Sequence, residues 1–203
     1  MLAWANESVA MMERFDLGDL QALAQETLTR AGVSDAAARI VARDVALSEV
    51  ARDPDGGFVG LLRDIRRIRY GRLDPDSVPV IETNLPAIVQ LDGAGGFASV
   101  ALAQALPHVV ASAVTNGLSM IRLRNVSEPG AMAAAMADLS SAGLAGLALR
   151  SGGTAYAVRP RATRITPLDP SAEPNMLSSL LALAPPITDH PLEGPIAQKG
   201  WLI

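Results

Sequence analysis

The 203-residue chain contains no cysteine. Disulfides, thiolate metal sites and cysteine nucleophiles are therefore excluded. Aromatic residues make up only 3 % of it, which leaves Ala, Leu and Val to fill a core. Lysine occurs once, at Lys199, and histidine twice, at His108 and His190. Neither histidine has a sequence partner at metal-ligand spacing, so both read as structural or exposed. Paired carboxylates for acid–base work are equally scarce; Asp53 and Asp55 flank a proline in a turn, where such residues are commonplace. The formal charge of −4 argues against a chain whose main partner is a polyanion. No basic region precedes an apolar stretch in MLAWANESVAMMERF, which does not read as a signal peptide. The apolar stretch 131–149 is broken by Asp138, Ser140 and Ser141, and reads as a helix and a buried strand rather than a membrane span. These absences lead us to expect a cytoplasmic protein with no nucleic-acid and no membrane partner.

What is present is patterned. Asp16 is placed to cap a helix starting at Leu17, with Phe15 and Leu20 as a staple and Gly32 as its stop. Leu17, Leu20, Leu23, Ala24 and Leu28 share a face of it. Ser34 caps a second helix that turns Ile40, Val41 and Val45 inward. After the break RDPDGG (52–57), a third helix, LLRDIRRIRY, ends at Gly71. The segment LDPDSVPVIETNLP (73–86) reads as an extended connection, because its prolines neither donate to a ladder nor continue a helix.

Strand and helix then alternate. AIVQL (87–91), SMIRLR (119–124) and GLAGLALR (143–150) read as strands. Between them lie a helix from Ser99 to about Asn116, expected to bend near Pro107, and another over 131–141. This implies an α/β fold: a helical N-terminal region over 1–72, an α/β core over 73–170 and a proline-rich tail over 171–203. Eight of the fourteen prolines fall in the last 44 residues. Beyond a strand signal at 162–166 and the apolar MLSSLLALA (176–184), that tail reads as loosely organised or supported from outside the chain.

Three stretches invite a functional reading. LDGAGGFASVALAQAL (91–106) matches G-x-G-x-x-A after a strand and before a helix, the setting of a pyrophosphate loop. The acidic residue expected on the next strand is absent, however; Arg122 and Arg124 stand there, and Asp92 would bring a negative charge towards a phosphate. A plain strand-to-helix turn is the better reading. LTRAGVSDAAARIVARDV (28–45) resembles a helix-turn-helix displaying Arg39 and Arg43, but Asp35, Asp44 and Glu49 dilute that face, and a helical hairpin packing on its own domain is favoured. The run Arg63, Arg66, Arg67, Arg69 and Arg72 is either a solvated helix face or a site for an anion.

Taken in order, these pieces resemble the malate/L-lactate dehydrogenase-like (type 2) oxidoreductases, NAD(P)-dependent enzymes of 2-hydroxy, 2-oxo or cyclic imino acids. AGVSDAAARIVARDVALSEVARD is similar to the family's paired opening helices, and RYGRLDPDSVPVIE to its "RxGxxxPxxxPxV". LDGAGGFASVALAQA looks like "VDGxGGxGxxxAxxA", while GLSMIRLRNVSEPG and AGLAGLALRS look like the two elements after it. The collinear match runs from about Leu17 to Pro160. It implies a non-Rossmann α/β layer, in which the glycines chiefly shape a turn, and family members pair as dimers.

The resemblance also marks departures. The family's motif histidine falls on Gly56 when a one-residue gap is allowed, or on Gly57 without it. The arginine that follows, a carboxylate anchor, falls on Gly60 or Leu61. The second motif histidine falls on Glu128. Most of the cofactor segment is missing, and its "GxxKG" string survives only around Lys199 and Gly200 in the tail. Two readings follow. The favoured one is a catalytically degenerate member kept for binding or assembly, with no cofactor. The other is a divergent reductase of 2-oxo or cyclic 2-imino acids using NAD or NADP, with Glu128 as acid and Arg63 or Arg124, beside Asn125, holding a carboxylate. In either, a homodimer or a partner protein chain is expected to complete the molecule.

Overall fold

In the computed structural model of the chain, the residues described are 15–53, 56–127, 132–149, 155–158, 166–168 and 201–202. The Asp16 carboxylate accepts the Asp19 amide proton at 2.8 Å, and Asp19 returns the bond to the Asp16 amide at 3.3 Å. This capping box starts α1, Leu17–Arg30. Ala24 and Leu28 are buried, while Phe15, Leu17 and Leu23 are exposed, because only the C-terminal half of α1 is covered by its neighbours. Ser34 caps α2, Asp35–Ala51, and the third helix, α3, spans Gly57–Arg69. It begins four residues before the apolar run suggested, with Gly56 as its N-cap.

The segment read as a plain connection contains a strand, β1, Val80–Leu85, which pairs antiparallel with β2, Ile88–Gly96. Pro79 and Pro86 flank β1 rather than interrupt it, so its edge position needs no donor from either. Then follow α4 (Ala98–Asn116), β3 (Leu118–Val126), α5 (Ala133–Ser141) and β4 (Ala145–Leu149). Short strands β5 (Ala155–Val158), β6 (Thr166–Leu168) and β7 (Trp201–Leu202) complete a sheet of order β1-β2-β3-β7-β4-β5-β6. The strand signal at 162–166 meets β6 at Thr166, and residues 162–165 lie outside the described ones. The stretch MLSSLLALA lies outside the described residues.

β2, β3, β7 and β4 run parallel, and the outer strands antiparallel. α4 stays helical through Pro107, which sits on its exposed side. It is the one helix among the described residues long and apolar enough to cross a membrane, yet Ala101, Leu102, Ala105, Val109 and Ala113 form a buried face on it, as in a core helix. Two apolar clusters result. One joins α4 and α5 to the sheet through Val89, Leu91, Val109, Met136 and Leu139. The other unites α1–α3 around Leu28, Val41, Val45, Leu61 and Ile65. Phe97, the residue that opens α4, belongs to the helical cluster and pins the two layers together.

Candidate active site

The buried face of α2 carries Val41, Ala42, Val45, Ala46 and Ser48, and Asp44 sits among them. Such a carboxyl needs donors, and the first turn of α5 supplies them. Asp44 accepts the Ala134 amide proton at 2.8 Å, with the Ala133 amide beside it. Burial pushes the Asp44 carboxyl up to about 7; the Ala134 bond opposes this, the Asp53 carboxylate adds to it, and Arg43 and the Ala133 bond oppose it again.

Asp44 opens onto a cavity of about 30 Å³, room for a single water, shared with Ser48, Gly56, Gly57, Gly60 and Ser127. Leu61 also lines it. The positions that the resemblance assigns to the motif histidine and arginine therefore converge on one spot. They converge without those side chains. Gly57 has φ +58°, and a Cβ there would overlap the Glu49 carboxylate. Glu49 occupies that place because it accepts the Phe58 amide proton at 2.6 Å, capping α3 where Gly56 has no side chain to do so.

The glycine-rich stretch of β2 closes on its own chain. A Cβ on Gly96 would overlap Ser77 Oγ, and one on Gly93 would overlap Val126 Cγ1. Ser127 donates its amide proton to the Gly96 carbonyl at 2.8 Å, and Asp74 donates to the Gly95 carbonyl at 3.1 Å. Asp92 accepts from the Ala94 amide at 2.9 Å and Asn125 Nδ2 at 3.1 Å, and pairs with Arg124 Nε at 3.1 Å. The Ala94 bond, then Asn125, then Arg124 hold its carboxyl below the usual carboxylate range. Ala94 (φ 51°) and Asn125 (φ 52°) are both left-handed, a conformation these contacts sustain. A nicotinamide cofactor's pyrophosphate needs free amides and no carboxylate beside it. This turn offers the opposite, and its residues do not fit the group.

The other residues singled out from the sequence are scattered. Arg124 and Asn125 meet each other at Asp92, in the service of the turn. Arg63 is part-buried on α3, next to Asp64, which lines the cavity. Glu128, Lys199, Gly200 and His190 lie outside the described residues. The flanks of Glu128 are described: Ser127 is held to Gly96 on one side, and Ala134 to Asp44 on the other. His108 is exposed on α4. Arg43, which a helix-turn-helix would present outward, donates to both oxygens of Asp138 on α5 at 2.8 and 2.6 Å. Sequence reasoning passed over Asp44, counting it only as a diluting charge. The available signal was its spacing, three residues from Val41 and four from Ser48 on a buried helix face.

Comparison with known proteins bears on the family and the fold. Residues 15–164 match the model of the malate/L-lactate dehydrogenase family. The Δ1-pyrroline-2-carboxylate reductase of Ancylobacter novellus is 26 % identical over 135 residues, covering 66 % of this chain and 39 % of that one. A Pseudomonas aeruginosa Δ1-pyrroline-2-carboxylate/Δ1-piperideine-2-carboxylate reductase is 27 % identical over 137 residues, covering 68 % and 41 %. The chain thus spans well under half the length of these curated relatives. Among solved structures, Δ1-piperideine-2-carboxylate reductase from Pseudomonas syringae has the same fold, with a TM-score of 0.66 at 20 % identity, over 77 % of this chain and 53 % of that one. Malate dehydrogenase from Pyrococcus horikoshii gives 0.64 at 18 %, over 77 % and 50 %. The chain belongs to the malate/L-lactate dehydrogenase family.

Proposed function

We propose that the chain forms the substrate-side part of an NAD(P)-dependent reductase of small cyclic 2-imino acids, completed by a second polypeptide. The observation that supports this reading is the match of residues 15–164 to the family, whose motif positions Gly56, Gly57 and Gly60 lie with Ser127 around the one-water cavity beside Asp44. The names of the relatives supply the substrate class.

Reducing a cyclic imino acid requires a proton at nitrogen and a cation at the carboxylate. In this reading Glu128, the residue after the cavity-lining Ser127 in the sequence, delivers the proton. Asp44 is a positioning residue: it holds the first turn of α5, and so the far flank of the segment carrying Glu128. Arg63, one position from the cavity-lining Asp64, is the candidate for the carboxylate. Arg124, the other candidate, pairs with Asp92, and neither arginine lines the cavity. Losing a positioned general acid costs on the order of 10²–10⁴ in rate. The test is NAD(P)H oxidation with Δ1-pyrroline-2-carboxylate by the completed molecule, with Glu128→Gln lowering kcat about 100-fold or more.

A second reading, a binding or assembly protein without turnover, is favoured by one observation. Gly56 and Gly60 leave the cavity with neither the histidine nor the arginine of the family motif. The same assay decides: a completed molecule that oxidises no cofactor with 2-imino or 2-oxo acids supports this reading instead.

A further inference from the structure

The last residue of α4, Asn116, is exposed, yet its side-chain amide is fully engaged. Nδ2 donates to the Pro86 carbonyl at 2.7 Å, and has the Ser112 carbonyl at 3.0 Å and Ser112 Oγ at 3.2 Å as further acceptors. Ser112 Oγ itself donates to the same Pro86 carbonyl at 3.0 Å. Pro86 and Ala87 form the turn between β1 and β2, where Leu85 is the register partner of Ile88. The end of α4 is therefore clasped to that turn through a single carbonyl, which two side chains share.

Gly117 comes next, and the two make the one Asn-Gly pair of the sequence. Gly117 leaves the helix in the left-handed region, with φ +80°, and nothing lies within 4 Å of the place a Cβ would take. A glycine in this position offers its amide nitrogen to the preceding side chain with little steric hindrance. Conformation is what separates the two groups. The helical backbone of Asn116 turns the Gly117 nitrogen away from Cγ, and the clasp fixes the side chain. Helix ends fray, so the obstacle is the opening of one terminal turn.

We propose that Asn116–Gly117 is a self-modifying site, at which loss of the side-chain amide releases the β1–β2 turn from the end of α4. The Gly117 nitrogen gives up its proton and attacks Cγ of Asn116. The new N–C bond closes a five-membered imide as the Cγ–Nδ2 bond breaks, and Nδ2 leaves with that proton as ammonia. Water then adds across one of the two carbonyl bonds to the Gly117 nitrogen, leaving aspartate or isoaspartate at position 116. Water is the only other reactant. The product carboxylate is an acceptor alone, whereas the amide it replaces is a donor to Pro86. It repels the Pro86 carbonyl and draws the Ser112 hydroxyl proton to itself, so that carbonyl loses both of its donors.

The test uses the full chain, aged at mildly alkaline pH both folded and in urea, with position 116 followed by peptide mass spectrometry. Conversion should occur in both, at least about tenfold slower in the folded chain. Ser112→Ala takes one acceptor from Nδ2 and should speed the folded reaction about fivefold. Asn116→Gln, which would need a six-membered ring, should stop it. Asn116→Asp stands for the product: amide exchange at Leu85 and Ile88 should quicken about tenfold, while Val89 and Leu91 keep their protection. The proposal is overturned if the folded chain keeps its amide for many times the period in which the unfolded chain converts. It is equally overturned if both convert at one rate, or if Asn116→Asp leaves Leu85 and Ile88 as protected as in the parent.

Discussion

Asp44 on α2 accepts the amide proton of Ala134 at 2.8 Å, tying together elements ninety residues apart in the chain. Its carboxyl is pushed up to about 7 from an ordinary 3.8. Between those values the native state binds more proton than the unfolded one, so stability falls as pH rises through that window and is level above it. Asp44→Asn keeps an oxygen for the Ala134 amide and has no charge to desolvate. The variant should therefore gain on the parent between pH 4 and pH 7, by about 2 kcal/mol once partial solvent access is allowed for. Urea unfolding at pH 4.5 and pH 8 checks it; an equal difference at both pH values contradicts the assigned cause.

Arg43 and Asp138 add a second tie between α2 and α5, in two-pronged geometry at a part-exposed site. A double-mutant cycle with Arg43→Met and Asp138→Asn should give a coupling of about 1 kcal/mol that shrinks in 1 M salt. A coupling near zero would mean that this contact does not hold α5 on α2.

Gly57 is required by its left-handed backbone and by the Glu49 carboxylate that fills the space of a side chain. Gly57→Ala should cost about 2 kcal/mol, of which roughly half is backbone strain and the rest displacement of the α3 cap. Glu49→Gln retains an acceptor for the Phe58 amide and should cost less. Thermal unfolding of both variants ranks them; a neutral Gly57→Ala would show that Glu49 moves aside freely.

The turn held by Asp92 is closed to phosphate. Titrating NADH or NADPH into the chain alone should give no saturable fluorescence enhancement at micromolar cofactor. Saturable enhancement that disappears with Gly95→Val would place a pyrophosphate on this turn after all.

The sequence disclosed the helices and the strands β2, β3 and β4 because caps and periodicity are local, but not β7 in the tail read as loosely organised. Asp16 and Ser34 begin helices and Gly32 follows the end of one where turn chemistry places them, and Val89 and Leu91 alternate as a half-buried strand must. β1 escaped notice, since an exposed edge strand flanked by Pro79 and Pro86 has neither an apolar face nor a clean alternation. The glycines of β2 could be read as a turn, but not their closeness to Ser77 and Val126, which are distant in the chain. The site was half legible. The positions Gly56 and Gly60 emerged from motif order, and Glu128, from the same order, lies outside the described residues, whereas Asp44 finds its role only when α5, ninety residues later, folds against α2.

The most direct test of the whole account is NAD(P)H oxidation at 340 nm with Δ1-pyrroline-2-carboxylate. It is run on the chain alone and on the chain completed with the unmatched part of the Ancylobacter novellus reductase. We predict turnover only in the completed molecule, with kcat about 100-fold lower in Glu128→Gln. A completed molecule with no turnover, or one that Glu128→Gln leaves unchanged, would contradict it.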